Sequence, residues 1–380
     1  MNSELRQRIH SIDMMRGLVM LLMLVDHVRE RFFLHMQVSD PMDIDATSPG
    51  LFFSRFAAHF CAPAFVFLTG VSAWLYASNG RNLTGFLFKR GLFLIALEVT
   101  LVTFAWMGSF DTVWLQVIWA IGLCMLALAI LHHLPFGVLL LVGLTLVFGH
   151  NMLTSIQFTQ GDSLYPLWTI LHDRGYLLQS EAINIKVSYP VLPWIGVIVL
   201  GYCAGPLFGK DISLKERKTA LLRLGIFCLV LFGILRGANL YGETLDWSVQ
   251  STFLLTVMDV LNVTKYPPSL AFLLITLGAM FLLLRAAETD FIGKRTGIVS
   301  TLTGFGAAPM FFYLLHLYAL LLINSALLLF MEPNHGELLG VNHIGWIWLI
   351  ALGLAVVLYW PTRAFAALKQ RKQHPLLSYF

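Results

Sequence analysis

Residues 11–29 read Ser11-Ile12-Asp13-Met14-Met15-Arg16-Gly17-Leu18-Val19-Met20-Leu21-Leu22-Met23-Leu24-Val25-Asp26-His27-Val28-Arg29. The run that starts at Met14 is apolar for about the 20 residues that a bilayer crossing needs. It follows the basic Arg6, Arg8 and His10 without a small-residue cleavage site, so it reads as a retained span. Yet it keeps Arg16 and Asp26, charges that cost roughly 2.5–3.5 kcal/mol each at the centre of an inserted helix. A span that retains such groups must turn them towards protein or a wet interior.

The rest of the chain has the same character. Of 380 residues, 58% are hydrophobic and 12% charged, and the mean hydropathy is +0.76. Soluble domains carry about 25% charged residues, so a soluble globular enzyme, a disordered chain and a nucleic-acid binder are excluded. Hydropathy predicts an all-α polytopic transmembrane bundle of about ten spans: 14–34, 51–77, 86–107, 112–131, 134–151, 189–208, 219–236, 267–285, 304–331 and 344–366. Placing both termini in the cytoplasm puts 17 Lys and Arg inside and six outside, as the positive-inside rule asks of an even number of spans. The six outside are Arg29, Arg31, Arg174, Lys186, Arg236 and Lys265, and the long outside loops also carry Asp40, Asp43 and Asp45. The net charge of +4 is therefore read as topology. No repeat or composition shift divides the chain, so residues 1–380 read as one integral-membrane domain. The four cysteines lie in apolar stretches with no metal-binding spacing, and no metal is expected.

Arg16 and His27 are eleven residues apart; at about 100° per residue they share nearly one helix face, roughly 16 Å apart along the axis. Asp13 precedes Arg16 by three residues and can pair with it. In the second span, Pro63 has no N–H, so the carbonyl of His59 loses its helical partner. Such a kink is tolerated only where it faces protein or water. Counted from their ends of the bilayer, His27 and His59 arrive at similar depth, about 10 and 12 Å below the outer face, and read as one polar pocket. Glu98 sits in the third span, and Tyr313 and His316 share a face of the ninth at i,i+3. Tyr266-Pro267-Pro268 edges the outer side. On the inner face Arg16 and Arg90, with Lys89 and the 210–218 cluster, offer cations to a donor with phosphates. Each has a plainer reading: a helix-start ion pair, packed histidines, or positive-inside signalling. P-loop, zinc-hydrolase, serine-hydrolase and dinucleotide motifs are missing.

The stretch Arg8-Ile9-His10-Ser11-Ile12-Asp13-Met14-Met15-Arg16-Gly17 resembles the opening of the transmembrane acyltransferases related to heparan-α-glucosaminide N-acetyltransferase, as does Ala62-Pro63-Ala64-Phe65-Val66-Phe67-Leu68-Thr69-Gly70. The spacing of Arg16 and His27, and the segment from Tyr313 to His316, are also similar to membrane O-acyltransferases of bacterial polysaccharides. The resemblance implies that cytosolic acyl-CoA, usually acetyl-CoA, donates to a sugar amine or hydroxyl across the membrane. It implies Arg16 and Arg90 at the donor, and His27, His59 and Asp26 at the chemistry, with Asp13, Glu98, Tyr313 and His316 as further candidates. The implied partners are the bilayer, acyl-CoA and a carbohydrate, with a homodimer left open, in a bacterial inner membrane. The lysosomal relative has a catalytic histidine just before the second helix, where residues 46–50 here have none. Direct transfer with a neutral imidazole as base is then the simpler chemistry; His27 is preferred over His59, with Asp26 or Glu98 to orient it. The rival class is a proton-coupled secondary transporter, which often carries related halves; no match of the first two spans recurs in the second half.

Overall fold

The computed structural model describes residues 9–288, 297–371 and 377. Arg6, Arg8, Lys294, Arg295 and Lys372, all counted above as inside charges, lie outside the described residues. The chain runs α1 (His10–Phe32), α2 (Pro49–Ala58), α3 (Cys61–Ala77), α4 (Leu83–Leu97), a π turn over Glu98–Val102, α5 (Thr103–Met107), β1 (Thr112–Leu115), α6 (Val117–Leu131) and α7 (Phe136–Gly149). It continues with α8 (Tyr165–Leu171), β2 (Gly175–Gln179), β3 (Asn184–Val187), α9 (Leu192–Ala204), α10 (Leu214–Gly237), α11 (Phe253–Leu261), α12 (Leu270–Ala287), α13 (Gly297–Gly306), α14 (Pro309–Leu328) and α15 (Ile344–Arg371).

Local chemistry sets many of these boundaries. Ser48, Asn82, Thr252 and Ser269 accept from backbone N–H groups in the first turns of α2, α4, α11 and α12, and Pro49 follows its cap directly. Ser213 and Glu216 form a reciprocal capping box on α10. Gly108, with φ 70°, ends α5 in the left-handed conformation that glycine adopts without steric cost.

Six helical stretches are long and apolar enough to cross a bilayer: Pro49–Ala77, Phe136–Leu153, Leu214–Gly237, Leu270–Ala287, Pro309–Leu328 and Ile344–Arg371. Of the other four expected spans, Val117–Leu131 and Leu192–Phe208 are short apolar helices, α1 carries its charges, and α4 passes into the π turn at Glu98. By length and composition alone, six of the ten predicted spans thus qualify as crossings among the described residues. Three boundaries also differ. Residues 112–115, expected to begin a span, form β1, which pairs in parallel with β3; β2 pairs antiparallel on the other side of β3. Hydropathy cannot tell a short apolar strand from the start of a helix. The expected span 304–331 is two helices, broken between Gly306 and Pro309. The second span breaks at His59–Phe60, with Pro63 in the first turn of α3.

One continuous apolar core draws on helices from α1 (Ile12) to α15 (Leu358). Glycines bring key helices into backbone contact. A Cβ on Gly17 would sit 1.9 Å from the Leu302 carbonyl oxygen, and one on Gly306 1.8 Å from that of Asp13, so α1 and α13 touch main chain to main chain. Gly70 and Gly201 do the same for α3 and α9, at 2.1 Å each.

Candidate active site

A cavity of about 330 Å³ runs beside α1. Its lining begins at Asp13 and Arg16, passes Met20 and Met23, and ends at Asp26 and His27, so one face of α1 forms a wall along its length. The 3.6-residue repeat that aligned Arg16 with His27 places both in this single hollow. The other walls come from α3, α4, α6, the α13–α14 break and, at the His27 end, Tyr189 and Lys265.

At the Arg16 end, the guanidinium donates to Ser72 Oγ at 2.5 Å and lies 3.6 Å from Asp13, the pair expected at i,i+3. Tyr76 and Phe86 stack with centroids 4.2 Å apart; Arg81 lies 5.3 Å over the first ring and Arg90 5.8 Å over the second. Arg16, Arg81 and Arg90 thus gather positive charge at this end, a fit for phosphate groups. Arg90, Tyr76 and Phe86 all line the cavity.

At the other end, His27 and His316 meet at 2.7 Å, Nδ1 to Nε2. His316 Nδ1 is 2.6 Å from the Phe312 carbonyl, which can only accept, so Nδ1 carries the hydrogen and Nε2 is left as an acceptor. His27 Nδ1 must then donate to it, leaving the His27 Nε2 lone pair free. His316 is fully buried, whereas His27 is half-buried and lines the cavity. Tyr313 lines the same wall, with its ring centroid 5.8 Å from that of His27.

His59 does not join this group. Its ring packs 5.2 Å from Phe272 and 5.9 Å from Phe56, 1% exposed, away from the cavity lining, and its Nδ1 has no hydrogen-bond partner among the described residues. Equal depth on neighbouring helices says nothing about which way a ring faces, and the break at His59–Phe60 rotates the ring off the cavity. Asp26 lines the cavity, but its carboxylate is held by Arg29 at 3.0 Å and Arg55 at 2.8 Å and not by His27. Glu98 accepts the Trp119 N–H at 2.8 Å and so caps the start of α6.

Two lining residues at the His27 end, Tyr189 and Lys265, were not singled out by the sequence as site residues. The signal was faint: Lys265 immediately precedes the Tyr-Pro-Pro stretch read as an edge. Its backbone N–H is 3.2 Å from both Asp40 oxygens. Burial pushes the Asp40 carboxyl up, against the pull of Arg55, that hydrogen bond and Lys265. Burial alone would also raise the Tyr266 phenol, but the positive field of Lys265 and Arg55 holds it below its ordinary value.

A family model described as heparan-alpha-glucosaminide N-acetyltransferase, catalytic, matches residues 8–234. The matched stretch contains Arg16, His27, His59 and Arg90, and stops before Lys265, Tyr313 and His316. The chain matches no curated protein. The transporter alternative finds no support in the family match.

Proposed function

Since the chain belongs to the family of heparan-alpha-glucosaminide N-acetyltransferases, we propose that this membrane acetyltransferase takes an acetyl group from acetyl-CoA on the cytoplasmic side and passes it to a sugar amine or hydroxyl on the far side. The observation that carries the reading is the single cavity that holds Arg16 at one end and His27 at the other, about 16 Å apart along α1. Both termini are assigned to the cytoplasm, in a bacterial inner membrane, which puts the Arg16 end at the donor face.

In this scheme Arg16 and Arg90 hold donor phosphates. His27 Nε2 takes the proton from the acceptor amine or hydroxyl as that nitrogen or oxygen attacks the thioester carbonyl carbon. The carbon–sulfur bond breaks, and His27 returns the proton to the departing thiolate. His316 fixes the His27 tautomer through its own bond to Phe312 O. No acyl-enzyme is needed, because one base serves both proton transfers.

Labelled acetyl-CoA, protein in sealed vesicles and a panel of amino and neutral sugars test this. Wild type should acetylate a sugar on the side opposite the donor. His27→Ala should lose about 10²–10⁴-fold in transfer while still binding acetyl-CoA, and Arg16→Ala should weaken that binding with insertion intact. A sugar that crosses without gaining an acetyl group, with acetyl-CoA present, would replace the enzyme reading with transport.

A further inference from the structure

Arg31 follows His27 by four residues, one turn further along α1 and on the same side of the helix. Among the described residues it pairs with no carboxylate; its guanidinium donates instead to two main-chain carbonyls, those of Ala105 and Trp106, each at 2.9 Å. These carbonyls are open because α5 ends at Met107, and the last four carbonyls of a helix have no partner within it. A cation there is ordinary capping. What it caps has a further use, because the Trp106 ring lies nearly perpendicular to that of His27, at 77° with centroids 4.8 Å apart. The chain reaches Trp106 through the π turn over Glu98–Val102, whose extra residue rotates the face of α5 by about 100° against α4. Thr103 Oγ1 donates to the Glu98 carbonyl at 2.8 Å, and Tyr318 on α14 donates to that of Leu101 at 3.0 Å. Tyr318 lies two residues beyond His316, so the helix of each histidine also grips the segment that carries Trp106.

The bond to His316 fixes one atom of the His27 ring, Nδ1, and leaves the ring able to swing about that bond. Of the three rings around it, Trp106 is the nearest: His316 has its centroid at 5.0 Å and Tyr313 at 5.8 Å. Rings packed edge to face in this range hold a preferred mutual orientation. Trp106 is not part of the cavity lining, so it acts on the site through His27. We propose that Trp106 is a positioning residue for His27 and that Arg31 sets Trp106 in place, the two together holding the imidazole at the rotation in which Nδ1 meets His316 and Nε2 stays open to the cavity. The consequence for catalysis rests on the acyl-transfer reading; the placement of the ring does not.

Steady-state transfer from labelled acetyl-CoA by the purified full chain tests this, with a donor titration on each variant to show that it is folded. Trp106→Leu should lower kcat by about 10²-fold, the cost of a small misplacement of a reacting group, with the KM for acetyl-CoA unchanged. Trp106→Phe keeps a ring beside His27 and should recover most of that loss. Arg31→Met should also lower kcat, and combining it with Trp106→Leu should cost nothing beyond Trp106→Leu alone, because a residue that acts through another adds nothing once its target is gone. Wild-type kcat in Trp106→Leu overturns the proposal, as does a Trp106→Phe enzyme as slow as Trp106→Leu; additive losses in the double variant overturn the part given to Arg31. A second measurement needs no turnover. In chain carrying isotope-labelled histidine, the Nδ1 proton of His27, identified by its loss in His27→Ala, should exchange with solvent faster in Trp106→Leu and in Arg31→Met than in wild type, and unchanged exchange overturns the positioning. Should Trp106→Leu fail to fold, Arg31→Met carries both measurements. A wild type that transfers nothing, but whose His27 proton loosens without Trp106, would sink acyl transfer and leave the placement of the ring standing.

Discussion

His27 offers its Nε2 lone pair because two hydrogen bonds in series leave no other arrangement: Phe312 O takes the His316 proton, and His316 Nε2 takes that of His27. In the proposed scheme His316 is therefore a positioning residue, acting through His27. Its removal should lower kcat while the KM for acetyl-CoA stays unchanged, since it lies far from the cations at the Arg16 end. His59 has no part in this chain and no face on the cavity. His59→Leu is expected to keep transfer within about tenfold of wild type, in contrast to the loss of about 10²–10⁴-fold for a missing base. Steady-state kinetics on the two variants, side by side with His27→Ala, separate the roles. A His59→Leu enzyme as dead as His27→Ala would return the base to His59.

At the scale of elements, the cavity wall depends on α1 lying against α13 with nothing between their backbones. Gly17 and Gly306 leave no space for even a methyl group, because the atoms in the way are the main-chain oxygens of Leu302 and Asp13. Gly17→Val should push α13 off α1, open the cavity beside Arg16 and lower the thermal midpoint in detergent, with loss of acetyl-CoA binding. Gly137 in α7 is the control: a Cβ there meets nothing within 4 Å. Gly137→Ala should be neutral, or stabilising by roughly 0.5–1 kcal/mol. Equal melting of Gly17→Val and wild type would show that α1 and α13 are further apart than described. The same element carries Asp26, so α1 is tied at one end by close packing and at the other by the ion pair of Asp26 with Arg55 on α2.

At the scale of the whole molecule, the membrane orientation decides which end of the cavity meets acetyl-CoA in the proposed scheme. The charge split predicts Lys215 and Lys369 in the cytoplasm and Asp173 outside. Reporter fusions at 215 and 369 should read cytoplasm, and one at 173 should read the far side. A cytoplasmic signal at 173 would reverse the cavity, putting His27 with the donor and undoing the trans-membrane scheme. The connections around residues 112–187 are also folded, since β1, β2 and β3 form a small sheet there and Lys186 lies on β3.

What could be read in the amino acids alone was whatever depends on near neighbours along the chain. Composition fixes a helical membrane protein, because few charges leave no other way to satisfy so much apolar surface. The pairing of Asp13 with Arg16, and the shared face of Arg16 and His27, follow from the helical repeat. The family resemblance in the first two spans is legible for the same reason: it lives in contiguous residues. The His27–His316 bond joins positions 289 residues apart, and Lys265 reaches the cavity from a loop; no local pattern encodes either. His59 marks the boundary most sharply. Its depth could be counted from the span start, but the direction of its ring depends on how α2, α3 and α12 pack together, and that rotation turned it towards Phe272 and away from the site.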